Sequence, residues 1–459
     1  MCGIVGVYGS PHAARMAALG MFAEQHRGQE SCGMAVSDGK LIRLRKKMGL
    51  VKEVFREAKL SELPGNIAIG HVRYPTKGSA TQFNSQPHLL ETLFGPSHAL
   101  ASNGDVVNYD EVRGKLEAEG VYFNSDNDGE LLLRYIAWQI QSQRQGITEA
   151  IKAMMKEIRG AYSGLLLVRH AMYMFRDPLS MRPMVWGKTP EGAVVVASES
   201  CALSSLGISE FYEVPPAGII RVNNEGIRVV ENDPNLFRAG DTEKHCIFEH
   251  VYFSRPDSHH FDENVYEVRH KIGAQLAVLD QDLEADMVVP VPDSSNFIAM
   301  GYAAARGLPM SMGLIRNHYV GRTFINSQET IRDESVRQKY NVLPNFFEGK
   351  RVVLIDDSIV RGSTIGKIVS LIRDAGAKEI HLRIGSPQVR YSCYYGIDTP
   401  NPDELVANRM SVEEITRYFG ADSLRHLDIP GISACVGHPD HYCYACFNGK
   451  YPVENGNDV

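Results

Sequence analysis

Apolar positions run through this chain in two rhythms. In the first half they come in short bursts between glycine, proline and polar residues, and residues 4–8, 66–72, 162–168 and 193–198 predict strands. Between them, residues 130–142 and 147–159 carry helical spacing. In the second half, residues 287–291 and 352–355 are unbroken apolar runs, each leading into polar loop residues and then a helical pattern. Such runs predict strands of a parallel sheet covered on both faces. The polar stretch 231–244, with Asn232-Asp233-Pro234-Asn235, predicts the junction between two units, 2–235 and 245–459. There is no internal repeat or low-complexity segment, and the tail 454–459 is expected to fray.

Composition narrows the function classes. A chain of 459 residues has length for two to four domains. Its net charge of −7, from 48 basic and 55 acidic residues, argues against nucleic-acid binding by bulk electrostatics. It leaves room for a local basic pocket for a phosphorylated small molecule. No apolar run is long enough to span a bilayer and no export signal opens the chain, so a cytoplasmic protein without membrane partners is expected. Eight cysteines in that setting suggest thiols, a metal or catalysis rather than a disulfide framework.

The chain opens Met1-Cys2-Gly3, and the small Cys2 permits removal of Met1. An N-terminal cysteine carries a thiol nucleophile and a free amine on one skeleton. That amine titrates near ~7.7–8.0, so it can act as the nucleophile's own base. A second constellation is Val353-Leu354-Ile355-Asp356-Asp357-Ser358-Ile359-Val360-Arg361-Gly362-Ser363-Thr364. A buried strand ends at two carboxylates, a small hydroxyl-rich turn follows, and a helix begins near Ile365. Loops at strand ends of open parallel sheets bind ligands. The helix N-terminus suits a phosphate, and Gly362, Ser363 and Thr364 allow close approach and hydroxyl donors. Asp356 and Asp357 would repel phosphate but suit ribose hydroxyls or a metal, so this reads as a sugar-phosphate site and not a nucleotide P-loop.

This loop resembles the 5-phosphoribosyl-1-pyrophosphate (PRPP) motif of type I phosphoribosyltransferases. The resemblance implies that Asp356, Asp357, Ser358, Arg361, Gly362, Ser363 and Thr364 bind PRPP. It places Val291-Pro292-Asp293-Ser294-Ser295 beside the pyrophosphate, with Ser294, Asp356 and Asp357 at Mg2+. Asn317-His318-Tyr319-Val320-Gly321-Arg322-Thr323-Phe324-Ile325 resembles the loop that closes over PRPP, and adds Arg322 to the set.

His26-Arg27-Gly28-Gln29-Glu30-Ser31, Gly70-His71-Val72-Arg73-Tyr74-Pro75-Thr76, Ser102-Asn103-Gly104-Asp105 and Asp128-Gly129-Glu130 resemble the signatures of class II glutamine amidotransferases. The likeness implies that Cys2 attacks glutamine, with Arg27 supporting its surroundings. Arg73 takes the substrate carboxylate, Asp128 its ammonium, and Asn103 with Gly104 forms the oxyanion hole. Two departures stand out. Ser102 stands where the family often has histidine, and the longer segment Asn124-Ser125-Asp126-Asn127-Asp128-Gly129 makes Asp126 a rival to Asp128.

Further matches, including Arg176-Asp177-Pro178, Arg182-Pro183, Ser198-Glu199-Ser200-Cys201 and Phe253-Ser254-Arg255-Pro256-Asp257-Ser258, extend nearly end to end. The whole chain resembles the glutamine PRPP amidotransferase family. That implies an α+β N-terminal-nucleophile αββα sandwich followed by an α/β type I phosphoribosyltransferase domain with a parallel sheet. It also implies glutamine and PRPP as substrates, purine nucleotides as feedback inhibitors, and a homo-oligomer, a tetramer. Some relatives carry a propeptide; here only Met1 precedes Cys2.

Cys443-Tyr444-Ala445-Cys446 is a Cys-x-x-Cys pair, with Cys246 and Cys393 far off in sequence. Four thiolates suit tetrahedral zinc or an iron–sulfur cluster, and spacing does not choose. One branch of the family carries a [4Fe–4S] cluster in contexts like those of Cys246, Cys393, Cys443 and Cys446. Cys435 is a nearby spare thiol, and Cys32 and Cys201 read as core cysteines. Two rival readings are a PRPP-sensing regulator with a degenerate glutaminase half and an amidotransferase with another acceptor. Retention of Cys2, Arg73, Asn103 and Asp128 argues against the first, and the PRPP loop against the second.

Overall fold

A computed structural model describes residues 1–75, 79–93, 95–232, 242–319 and 338–453. Arg322 and most of its loop lie outside them.

The strand Gly3–Tyr8 sits inside a seven-stranded sheet, between Val194–Ala197 and Ile67–Arg73. Its side chains alternate. Val5 and Val7 pack with Ala13, Ala17 and Met21 of the helix Ala13–Ala23, while Ile4 faces a second sheet. That six-stranded sheet runs Gly226–Asn232, Gly218–Asn223, Ala171–Arg176, Gly160–Val168, Gly95–Val106, His88–Thr92. Leu165 and Leu167 point to the inter-sheet core, and Tyr162 and Leu166 to the helices Asp128–Ser142 and Ile147–Glu157. Four layers result, helix on sheet on sheet on helix, and the alternation of each strand decides which layer its side chains enter.

The second unit is built on four parallel strands in the order Met287–Pro290, Arg351–Asp356, Glu379–Ile384, Ser423–His426. Val288, Val353 and Ile355 pack against the helices Val265–Val278 and Asn296–Arg306. Val289 and Leu354 pack against Ser363–Asp374 and Val412–Phe419 on the other face. Burial on both faces explains the unbroken apolar runs. The C-terminal segment returns to the start of this unit, where Cys246 pairs with Cys443 in a short parallel ladder. No helix among the described residues is long and apolar enough to cross a membrane.

Candidate active sites

Cys2 lies at the end of a central strand and is 6 % exposed. Its backbone N–H donates to Asn103 Oδ1 at 3.0 Å, and its thiol lies 3.6 Å from the Tyr74 carbonyl. Asn103 Nδ2 is buried with no hydrogen-bond partner. An amide donor held beside a nucleophile with nothing to bond is what an oxyanion hole requires. Gly104, next to it, has φ of +152°, and a Cβ there would stand 1.8 Å from the Ala161 carbonyl oxygen, so only glycine fits.

Two charges face the thiol. Burial raises the Cys2 pKa, the amine at the chain start and Arg73 oppose that rise, and Asp128 adds to it. Arg73 is 1 % exposed and donates to Glu30 Oε2 at 2.7 Å. Asp128 is buried at the first turn of its helix, whereas Asp126 has a side chain 71 % exposed and pairs with Arg113 at 3.1 Å.

Arg27 is fully buried and donates from Nε to the Cys2 carbonyl at 2.9 Å. Its Nη atoms pair with Glu199 and, at 2.8 and 3.0 Å, with Glu249 of the second unit. Burial opposes the charge on both acids. Arg27 outweighs it at Glu249, and His26 with Arg27 holds Glu199 well below the usual carboxylate range. Ser254 Oγ donates to Glu249 Oε2 at 2.6 Å, and Arg269 Nη2 donates to the Ser254 carbonyl at 2.8 Å. Arg269 in turn lies close enough to Asp357 to oppose part of the rise that burial imposes on its pKa. A chain of buried polar groups thus runs from Cys2 to the second site.

There, Asp356 and Asp357 close the strand Arg351–Asp356. Ser294 Oγ donates to Asp357 Oδ2, Ser295 Oγ to Asp356 Oδ1 at 3.1 Å, and Ser358 Oγ to Asp357 Oδ1 at 2.6 Å. Burial raises both pKa values, and mutual repulsion adds to the rise at Asp356. Gly362 caps the helix Ser363–Asp374 with φ of +80° and no side-chain cap bond, so its first-turn N–H groups have no side-chain acceptor at the cap. Ser363 is exposed and Thr364 half-buried. Arg361 turns outward to Glu404 at 3.0 Å.

Cys246, Cys393, Cys443 and Cys446 line one cavity with Met181, Arg182 and Lys244. Arg182 is buried beside Cys246 and Cys393 and donates from Nε to the Tyr395 carbonyl at 2.8 Å. Gly396, in the loop after Cys393, packs directly on the Gly104 backbone. Cys435 lies outside this set, with its thiol 3.3 Å from the Gly431 carbonyl. Nearby, Glu243, His245 and His441 bring three donor atoms within 4.8 Å of one another.

Glu30 and Glu199 stand within the motifs quoted above but had no role assigned, and Glu249 and Arg269 were not singled out from sequence. Glu249 carried the clearest signal, as an acid inside Ile247-Phe248-Glu249-His250-Val251, where burial demands a partner.

The two folds, each with its strand-end constellation, define a glutamine amidotransferase joined to a phosphoribosyltransferase. A glutamine amidotransferase domain family matches residues 81–205 and a phosphoribosyl transferase domain family residues 268–384. Amidophosphoribosyltransferase 1, chloroplastic, of Arabidopsis thaliana is 46% identical over 455 residues, covering 99% of this chain and 79% of that protein. The amidophosphoribosyltransferase of Methanocaldococcus jannaschii is 41% identical, covering 99% of this chain and 98% of its own. The structure of glutamine PRPP amidotransferase from B. subtilis complexed with ADP and GMP superposes with a TM-score of 0.90 at 40% identity, covering 100% of this chain and 99% of that one. The chain belongs to the amidophosphoribosyltransferase family and is an enzyme of that type.

Proposed function

We propose that this enzyme hydrolyses glutamine at Cys2 and passes the ammonia to PRPP, giving 5-phosphoribosylamine, glutamate and pyrophosphate, the first step of de novo purine synthesis. The observation that carries the first half is the unpartnered Asn103 Nδ2 beside a buried N-terminal thiol. Arg73 binds the glutamine carboxylate beside Glu30, and Asp128, not the outward Asp126, binds the ammonium. Once Met1 is removed, the Cys2 amine takes the thiol proton as sulfur bonds to the side-chain carbonyl carbon. Asn103 Nδ2 and the Gly104 N–H hold the resulting oxyanion. The proton leaves with ammonia, and water cleaves the glutamyl thioester. Arg27 fixes the Cys2 carbonyl and so the aim of the thiol.

At the second site ammonia bonds to the anomeric carbon as the bond to pyrophosphate breaks. Asp356 and Asp357 hold ribose hydroxyls, and the loop Ser358, Gly362, Ser363, Thr364 holds the 5-phosphate at the open helix N-terminus, while Arg361, paired with Glu404, belongs to the set by resemblance and would have to leave that partner to reach PRPP. Two carboxylates pushed upward by burial call for a cation, which fits Mg2+ at Ser294, Asp356 and Asp357. Mg2+ bound there would neutralise charge on departing pyrophosphate. Arg322 belongs to this assignment by resemblance alone.

Cys246, Cys393, Cys443 and Cys446 fit a [4Fe–4S] cluster with a structural role. All four thiols line one cavity, as ligation of a single centre by four thiolates requires. The Arg182 guanidinium suits an anionic centre. A cluster would tie three distant segments together and make binding energy folding energy. The units divide at 2–235 and 245–459. The B. subtilis structure holds ADP and GMP, and a second structure, at 39% identity, is that of an allosteric regulatory enzyme of purine biosynthesis. Purine-nucleotide feedback, a homotetramer and a cytoplasmic location complete the reading. A steady-state assay tests it: glutamate and pyrophosphate should form together only when glutamine and PRPP are both present.

A further inference from the structure

Beside the cysteine cavity, Glu243 Oε2, His245 Nε2 and His441 Nδ1 lie within 4.8 Å of one another. The Glu243 oxygen stands 3.1 Å from His245 Nε2 and 3.2 Å from His441 Nδ1. His245 Nδ1 donates to the Ser180 carbonyl at 3.0 Å, which turns Nε2 toward Glu243. Second-partner fixing of the ring in this way is the habit of metal-bound histidine. A tetrahedral ion with bonds of ~2.0–2.1 Å sets its ligand atoms about 3.3 Å apart, close to the two distances found.

The site is also built. His245 is buried, stacks on Phe261 with ring centroids 4.2 Å apart, and meets Tyr442 edge-on at 5.6 Å. Glu243 and His441 remain partly exposed, which leaves an entry path and room for water. Glu243 and His245 come from the junction between the units and His441 from the C-terminal segment. The same segments are joined by Lys244 Nζ, which donates to the Asp440 carbonyl at 2.6 Å.

We propose that Glu243, His245 and His441 form a mononuclear site for a divalent transition-metal ion of the zinc class, with water in the fourth position. The donors are one carboxylate oxygen and two imidazole nitrogens, a set suited to zinc and distinct from the neighbouring thiolates. The ion clamps the C-terminal segment to the inter-unit junction.

Cobalt(II) reports the donor set directly. The full-length protein, titrated with Co2+ and freed of excess metal, should retain one equivalent with tetrahedral visible bands and no thiolate charge-transfer absorption. Zn2+ should displace it. Glu243→Gln, close to isosteric, and His441→Ala should each weaken Zn2+ binding by about 10–100-fold or more, while substitution of the exposed His12 of the first unit, His12→Ala, leaves it unchanged. Circular dichroism of the variants checks folding. Cobalt found only with thiolate absorption, or nitrogen–oxygen-ligated cobalt retained in both Glu243→Gln and His441→Ala, would overturn the assignment.

Discussion

Asn103 Oδ1 accepts from Cys2 N–H while Nδ2 stays unpartnered, free for the oxyanion proposed above. Replacing it with leucine should cost glutamine hydrolysis about 10²–10³-fold, as loss of one oxyanion donor does elsewhere, and spare synthesis from free ammonia. Glutaminase kinetics against ammonia kinetics separate the two. The motif Asn103-Gly104 was legible because few residue types do that chemistry. The ammonium ligand was not, since Asp126 and Asp128 lie two residues apart and sequence cannot say which is buried. Asp128→Asn should raise the glutamine KM at least tenfold, and Asp126→Asn should leave it near the parent value; equal effects would reopen the choice. Met1 brings a pH expectation. Burial first, then Arg182 and Arg27, push its amine down to about 5. A Cys2 amine freed in these surroundings should be neutral at pH 7. Hydrolysis should then rise with pH through an amine pKa below the free value of ~7.7–8.0, read as the acid limb of kcat/KM. A limb at or above that value would deny the amine its role as base.

At the scale of elements, the parallel strands declared themselves as apolar runs because both faces are covered. The carboxylate pair declared itself because Asp356-Asp357 interrupts such a run. The outward turn of Arg361 toward Glu404 was not legible, because the helix-and-loop segment that supplies Glu404 is placed by tertiary packing. The raised pKa values of Asp356 and Asp357 carry a sign. Each binds protons more readily than a free carboxylate, so a cation entering the site displaces protons and its binding weakens as pH falls. Calorimetry of Mg2+ with PRPP in buffers of different ionisation heat should show proton release, reduced in Asp357→Asn. The same variant should lose synthesis from both glutamine and ammonia while PRPP-independent glutamine hydrolysis changes little. Unaltered PRPP kinetics in Asp357→Asn would move the site elsewhere.

Across the whole molecule, the two sites share one buried charge system. Glu249 of the second unit holds Arg27, which holds the Cys2 carbonyl, and Ser254 carries the chain on to Arg269 near Asp357. Sequence could not show this, since its members lie up to 355 residues apart, from Cys2 to Asp357, and Glu249 and Arg269 each read alone as an ordinary charged residue. Glu249→Gln leaves Arg27 short of a charge and should destabilise the fold by about 3–5 kcal/mol, measured by denaturant unfolding, with a larger fall in glutaminase than in ammonia-dependent activity. The four-cysteine site was legible only through its contexts; the fold adds that it backs onto Gly104 through Gly396. Anaerobically purified protein should hold about four iron and four sulfide per chain, lost in Cys443→Ser and kept in Cys435→Ser. Zinc without sulfide would refute the cluster.

On the proposed function, one chain makes ammonia at Cys2 and uses it at Asp356 and Asp357. Pyrophosphate release from PRPP by Cys2→Ala, measured side by side with glutamine and with free ammonia, tests it most directly. The expected result is no glutamine-dependent release and ammonia-dependent release close to the parent enzyme. Glutamine-dependent release that survives in Cys2→Ala would contradict the account.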